Sequence, residues 1–252
     1  MRAHHKMHEW RATRMGGSYA GCRVGFVPTM GALHEGHHQL IQRARAENDR
    51  VVLSIFVNPP QFNDPNDLTK YPRTLEADLA LACDLVDDVI VPEAAEIYPD
   101  KYRYRVTENQ LSTVLEGAHR PGHFDGVLTV VLKLLNLVQP QRAYFGEKDW
   151  QQLQLVDGMV KALHLPMEIV HCETVRDPDG LAMSSRNRRL SPAARAQAVR
   201  FPQILRSAPT PADAVQALIA SGFEVDYVEE RDGVRLGAVR LENVRLIDNV
   251  RR

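Results

Sequence analysis

The run Val51-Val52-Leu53-Ser54-Ile55-Phe56-Val57 is apolar everywhere except at Ser54 and rich in β-branched side chains. A strand with one wet face alternates polar and apolar residues, so a strand without alternation has to be covered on both faces, as in a parallel sheet flanked by helices. The neighbouring segments fit that demand. Val24 to Val27 is a short apolar run ended by Pro28, and a helical pattern after Gly36 places Leu40, Ile41 and Ala44 on one side. A polar loop over Asn58 to Arg73 precedes a helix with Leu75, Leu79, Ala82, Cys83 and Val86 at helical spacing, then a strand at Val89 to Val91. From about Phe124 to Val138 one stripe carries Val127, Val130, Val131, Leu134, Leu135 and Val138. Strand Ala143 to Phe145, a helix from about Trp150 to Leu163 and strand Glu168 to His171 follow. Such alternation predicts an α/β fold with right-handed crossovers, a Rossmann-like doubly wound parallel sheet. After Val175 the texture changes to a polar loop, two Ala-rich helical stretches interrupted by Pro202 and by Pro209-Thr210-Pro211, and short strands at Val225 to Val228 and up to Ile247. The expected division is a sheet domain over 1–174 and a smaller C-terminal α+β domain over 175–252.

Composition narrows the function classes. Lys and Arg total 31 against 32 Asp and Glu, a formal net charge of -1, which leaves no electrostatic footprint for neutralising the phosphates of a nucleic acid. Apolar runs stop far short of the ~20 residues that span a bilayer, and polar Met1 to Gly17 lacks the apolar centre of a secretory signal. A cytoplasmic protein that binds neither nucleic acid nor membrane is expected. Cys22, Cys83 and Cys172 form no C-x-x-C pair and are read as reduced and mostly buried.

The densest group of chemistry-bearing residues, Pro28-Thr29-Met30-Gly31-Ala32-Leu33-His34-Glu35-Gly36-His37-His38, follows the first expected strand and opens the first expected helix. In an open parallel sheet that is where ligands bind. Unpaired N–H groups and the positive end of a helix dipole suit a triphosphate, and two imidazoles can donate to phosphate oxygens as charge builds at an α-phosphorus. The same letters spell His34-Glu35-x-x-His38, the H-E-x-x-H pattern of zinc hydrolases. Zinc is the less favoured alternative, because that pattern needs a regular helix and Gly36 is expected to interrupt it. A second group, Phe145-Gly146-Glu147-Lys148-Asp149-Trp150-Gln151-Gln152, again joins a strand end to a helix start. There Lys148 can reach a phosphate and Asp149 suits an N-cap, although a lysine that merely ends a strand reads equally well. The third, Asp179 to Asn187, reads as a flexible loop whose hydroxyls and guanidinium suit phosphate. By itself it would pass for a solvated linker.

Together these stretches resemble the pantoate–β-alanine ligases, of the HxGH nucleotidyltransferase superfamily. The residues that carry the resemblance are Pro28 to His37, Phe56-Val57-Asn58-Pro59 with Gln61-Phe62, Leu115-Glu116-Gly117 with Arg120-Pro121-Gly122-His123-Phe124, Phe145 to Asp149, Asp179 to Asn187, and Arg245-Leu246-Ile247-Asp248-Asn249. The resemblance implies a ligase of pantothenate biosynthesis, on the way to coenzyme A. (R)-Pantoate attacks ATP to give pantoyl adenylate and pyrophosphate, and β-alanine then displaces AMP. By position it implies that Met30, Gly31, Ala32, Leu33, His34, Glu35, Gly36 and His37 bind ATP, together with Gly146, Glu147, Lys148, Asp149, Val175, Met183, Ser184, Ser185 and Arg186. His37, His34, Lys148 and Arg186 would be catalytic. Gln61 and Gln152 would bind pantoate, Gln61 also β-alanine, and Glu116, Arg120 and His123 would lie near the cleft. Mg²⁺ would arrive on the phosphates of ATP without a protein metal site. A homodimer is implied, as is a small domain acting as a lid, with Lys148 on the sheet domain and Arg186 on the lid. This sequence departs from the family pattern at His38, at Pro60 before Gln61, at Trp150 and over His-rich Met1 to Tyr19. The stretch between Tyr227 and Leu246 looks short, so a reduced second sheet is expected.

Overall fold

Along each central strand, successive side chains enter different apolar cores, as the pleat dictates. Phe26, Val52, Ile90, Ala143, Phe145 and Ile169 belong to one core, and Val27, Val51, Leu53, Val89, Tyr144 and Val170 to another. Both faces of the sheet are therefore dry, which is why the run at Val51 to Val57 shows no alternation. The computed structural model describes residues 1–252 and divides them into two units, Met1–Gly146 with Gln151–Cys172, and Glu147–Trp150 with Glu173–Arg252.

In the first unit the elements run β1 (Arg2–His4), α1 (Met7–Met15), β2 (Val24–Thr29), α2 (Glu35–Glu47), β3 (Arg50–Ile55), α3 (Pro65–Thr69), α4 (Leu75–Ala82), β4 (Asp88–Ile90), α5 (Ala94–Ile97), α6 (Glu116–His119), α7 (His123–Val138), β5 (Arg142–Gly146), α8 (Trp150–Ala162) and β6 (Glu168–Cys172). The strand order is β1-β4-β3-β2-β5-β6, and every adjacent pair is parallel. From β2 the chain builds outward through β3 to β4, then returns to add β5 and β6 on the other side. The direction reverses between β2 and β5, and in open α/β sheets the crevice beyond the carboxyl ends of such strands is the ligand site. This is the doubly wound sheet expected from the sequence.

Two features of this unit escaped the sequence reading. The N-terminal stretch, read only as polar, forms edge strand β1 beside β4 and helix α1. Its anchors are distant in sequence: Trp10 is fully buried and donates to the Leu137 carbonyl at 2.8 Å, while His4 and Tyr19 both meet buried Asp88 at 2.7 Å. The cysteines also differ, because only Cys172 is buried, Cys22 being half-buried and Cys83 exposed.

The second unit packs α9 (Pro192–Ala198), α10 (Arg200–Ser207) and α11 (Pro211–Ala220) against an antiparallel sheet of β7 (Glu224–Arg231), β8 (Val234–Leu241) and β9 (Val244–Arg251). Strand β8 was not anticipated. It pairs with a neighbour on each side and is buried at nearly every position, and positive φ at Asp232 and Gly233 (51° and 73°) closes its hairpin with β7. The second sheet, expected to be reduced, consists of these three strands, paired in the order β7-β8-β9. Pro202 does mark an interruption: α9 ends at Ala198, four residues before it, where its ring would meet the carbonyl, and as the third residue of α10 its missing N–H has no intrahelical partner to lose. No helix is long and apolar enough to cross a membrane. The sequence boundary near 174 lies close to the division at Cys172, but Glu147–Trp150, read with the sheet, pack with the second unit.

Candidate active site

The segment after β2 is bent by backbone that few residues tolerate. Gly31 sits at φ +78° and Ala32 at φ +52°, the latter a left-handed conformation that costs a non-glycine residue about 1 kcal/mol or more. Asp78 on α4, itself 3% exposed, holds it there. One carboxylate oxygen accepts from Ala32 N–H at 2.9 Å, and the other from Leu33 N–H at 2.8 Å and the Thr74 hydroxyl at 3.1 Å. With the chain aimed this way, His34 becomes the N-cap of α2 with extended backbone, outside the helix.

The two histidines cap this helix reciprocally. Nδ1 of His34 accepts the Gly36 N–H at 3.1 Å, and Nδ1 of His37 accepts the His34 N–H at 3.4 Å. An Nδ1 that accepts a backbone N–H carries no proton, so the proton of each neutral ring is on Nε2, which is then a donor. The rings lie 4.2 Å apart between centroids. Two imidazole donors thus stand together at the positive end of α2, whose first-turn N–H groups face the same way. The zinc reading fails on this geometry. Gly36 does not interrupt the helix, being its second residue. Instead His34 lies outside it, the ring it meets is that of His37, and His38 turns its Nδ1 toward the Glu35 carboxylate at 3.7 Å.

Gln61, buried in a single turn after β3, is held from several directions. Its carbonyl accepts from Nδ1 of His123 at 2.8 Å and from Arg120 at 3.4 Å, and Nε2 of the same histidine accepts from Arg120 at 3.0 Å. Glu116 sits 3.8 Å from Arg120. The Gln61 side-chain oxygen accepts from the Asn58 amide nitrogen at 3.1 Å, and that nitrogen also donates to the Gly126 carbonyl at 3.1 Å. A backbone carbonyl accepts only, so the Asn58 amide has one possible orientation, and its oxygen takes the Tyr98 hydroxyl at 2.6 Å. Burial pushes the Tyr98 hydroxyl well above its ordinary pKa, which keeps it a donor. The Gln61 amide nitrogen consequently faces the other way, toward Met30 sulfur at 3.0 Å. Of the adjacent glutamines on α8, Gln151 is buried and spent on the structure, donating to Leu111 and Val114 carbonyls and accepting from Glu116 N–H. Gln152 is half-buried.

The remaining expected residues belong to the second unit, apart from Gly146, which ends β5. Glu147, Lys148 and Asp149 form a single 3₁₀ turn, with Lys148 half-buried. Here the expectation that Lys148 sits on the sheet domain is corrected, since it packs with the same unit as Arg186. The Val175 carbonyl accepts from Met183 N–H at 3.0 Å, and Arg176 bridges Ala182, so the stretch read as a flexible loop is a closed hairpin. Arg195 braces it through Asp177 and Asp179, both at 2.8 Å, and holds the Asp179 carboxyl below its usual range. Ser184 caps the 3₁₀ helix of Ser185–Arg189 by accepting the Arg186 N–H at 3.2 Å.

A family model described as pantoate-beta-alanine ligase matches residues 1–251. The chain belongs to the pantoate-beta-alanine ligase family. A pantothenate synthetase of Bdellovibrio bacteriovorus is 54% identical over 99% of this chain and 98% of its own, and one of Legionella pneumophila is 50% identical over 99% of both. Relative to these, no sizeable part of the second unit is missing. Among solved structures, a pantothenate synthetase from Thermus thermophilus superposes with TM-score 0.91 at 44% identity over 100% of this chain and 99% of that one. A pantoate-beta-alanine ligase from Francisella tularensis, complexed with beta-gamma ATP and beta-alanine, gives TM-score 0.94 at 39% identity over 100% and 97%.

Within this member of the family, Asp78 and Tyr98 support the site and were missed from sequence. Asp78 carried a signal: Leu75, Asp78, Leu79 and Ala82 share one helical stripe, and a carboxylate on a buried stripe must be partnered. Gly126 shows a second constraint, because a Cβ there would lie 2.7 Å from the backbone of Gln61. Gly126→Ala is therefore expected to push Gln61 out of place, costing about 1–3 kcal/mol of stability. Denaturant unfolding checks it. Unchanged stability would mean the contact yields freely.

Proposed function

We propose that this chain joins (R)-pantoate and β-alanine at the expense of ATP, through a pantoyl adenylate, releasing pyrophosphate and then AMP. The observation that carries the reading is the reciprocal cap of His34 and His37, which commits both Nδ1 atoms to the backbone as acceptors and so makes each Nε2 a donor, at a helix N-terminus beyond the end of β2. Family membership and the ATP and beta-alanine bound in the Francisella relative support it.

A carboxylate is inert to amines until one oxygen carries a good leaving group. In the first step a pantoate carboxylate oxygen attacks the α-phosphorus, and the bond from that phosphorus to the bridging oxygen of pyrophosphate breaks. Charge grows on the equatorial oxygens, where His34 and His37 donate hydrogen bonds, while Lys148 and Arg186 stabilise the departing pyrophosphate. Mg²⁺ enters with the nucleotide as part of the substrate. Backbone from Met30 to Gly36, Gly146 to Asp149 and Val175, and the Met183 to Ser185 turn, line the nucleotide. In the second step the neutral amine of β-alanine attacks the acyl carbon, the bond to AMP breaks and the amine loses its proton. Gln61 and Gln152 hold pantoate, Gln61 through the N–H that Asn58 turns away from itself.

Hydroxylamine in place of β-alanine should therefore yield pantoyl hydroxamate, together with AMP and pyrophosphate in equal amount. Splitting of ATP to ADP would show an acyl-phosphate route and overturn the reading.

A further inference from the structure

Strand β9 grips two loops with consecutive residues. Its pleat turns Val244, Leu246, Asp248 and Val250 to the buried face, and Arg245, Ile247 and Asn249 to the other. On the buried face Asp248, 3% exposed, takes the Arg176 guanidinium in a two-pronged ion pair at 2.7 and 2.8 Å. Arg176 also donates to the Gly180 and Asn249 carbonyls, each at 3.0 Å, which ties down the base of the hairpin that leads into Met183 to Arg186. On the opposite face the Asn249 amide nitrogen donates to the Glu147 carbonyl at 2.8 Å and to the Lys148 carbonyl at 3.0 Å. Two carbonyl oxygens can be met only by a donor, so both N–H bonds of this amide are committed.

We infer that Asn249 is a positioning residue for Lys148, and that with Asp248 it makes Lys148 and the Met183 to Arg186 segment one rigid phosphate-binding piece. A lysine is a point charge on a flexible stem, so its aim depends on how firmly its own backbone is held. Asn249 fixes the carbonyl of Lys148 and the one before it, and β9, paired along its length with β8, supplies the stiff base. The inference rests on the ligase reading for the identity of the anion, a nucleoside triphosphate.

Asn249→Asp preserves shape but sets an acceptor against two carbonyls. Displacement of a catalytic group by about 1 Å costs up to about 10²-fold, so adenylation should slow about 10- to 100-fold with a raised KM for ATP and the KM for pantoate within about twofold. The deciding readout is the double variant. If Asn249 acts through the lysine, Asn249→Asp adds less than about threefold in a Lys148→Ala background, because coupled sites are not additive. Losses that multiply, or wild-type rate and ATP KM in Asn249→Asp, overturn the inference. Asn249→Ala, which removes the donor without repulsion, answers the same question should the aspartate variant not fold. Calorimetric binding of a non-hydrolysable ATP analogue to the same four proteins separates this from the ligase reading. Weakened binding in Asn249→Asp with the same non-additivity supports the inference even if the wild type releases no pantoate-dependent pyrophosphate, a result that would sink the ligase reading alone.

Discussion

His37→Ala should slow adenylate formation by about 10²- to 10³-fold, the loss expected for one preorganised transition-state donor, or about 2.7–4 kcal/mol. The KM for ATP should change less, because in the proposed step the charge that His37 would meet develops only as pyrophosphate departs. His37 has a second role in the structure, since its Nδ1 accepts the His34 N–H at the start of α2. Losing that cap costs about 1 kcal/mol of stability, well below the kinetic effect, so the two are separable by measuring unfolding and rate on the same variant. His37→Asn, whose side-chain oxygen can still accept that N–H, should recover part of the stability without the rate. Rapid-quench measurement of the first turnover is the check. An adenylation rate equal to wild type in a folded variant would remove His37 from the chemistry.

Asp78→Ala should be the most damaging single change outside the residues assigned to substrate. It leaves the N–H groups of Ala32 and Leu33 buried without their acceptor, both having been bonded to a carboxylate. A hydrogen bond to a charged group contributes about 1.5–3 kcal/mol, and stranding its partners in the interior adds to the loss. About 3 kcal/mol corresponds to a fall of roughly 6–12 °C in Tm for a unit of this size. The kinetic consequence follows from the same contacts. Asp78 accepts the N–H of Ala32, which stands at φ +52°, so without it the bend should relax and swing His34 off the N-cap, and adenylation should fall along with Tm. Asp78→Asn keeps one acceptor but turns an amide N–H toward a backbone N–H, and should recover only part of either. Thermal unfolding monitored with rapid-quench kinetics decides. If Asp78→Ala melts and reacts like wild type, the bend after β2 is held by something else.

The double winding of the sheet and the place of the histidine pair were legible because they depend on short-range pattern. Val51 to Val57 without alternation demands two covered faces, and a turn sequence between a strand and a helix demands a ligand-facing loop wherever the strands end. The long stripe of α7 was legible for the same reason, its period being written within one segment. What escaped had partners far away. Arg2–His4 is too short to show a period, and it is a strand only because β4, more than eighty residues later, offers its edge. β8 was overlooked because a central strand covered on both sides lacks contrast, although Asp232-Gly233 marked its hairpin. Lys148 lies next to β5 in sequence yet packs with the other unit, since what fixes its backbone is the amide of Asn249, 101 residues on. The sequence by itself determined the central strands β2 to β6 and the long helices between them, and which residue types can meet a triphosphate, because local periodicity and side-chain chemistry need no partner. Only the tertiary structure decided which nitrogen of each histidine carries the proton, which way the Gln61 amide points and which unit Lys148 belongs to. The last two depend on partners distant in sequence, Gly126 and Tyr98 for the Asn58 amide that orients Gln61 and Asn249 for Lys148, while the histidine pair is set by a local cap on a chain that Asp78, more than forty residues on, has bent.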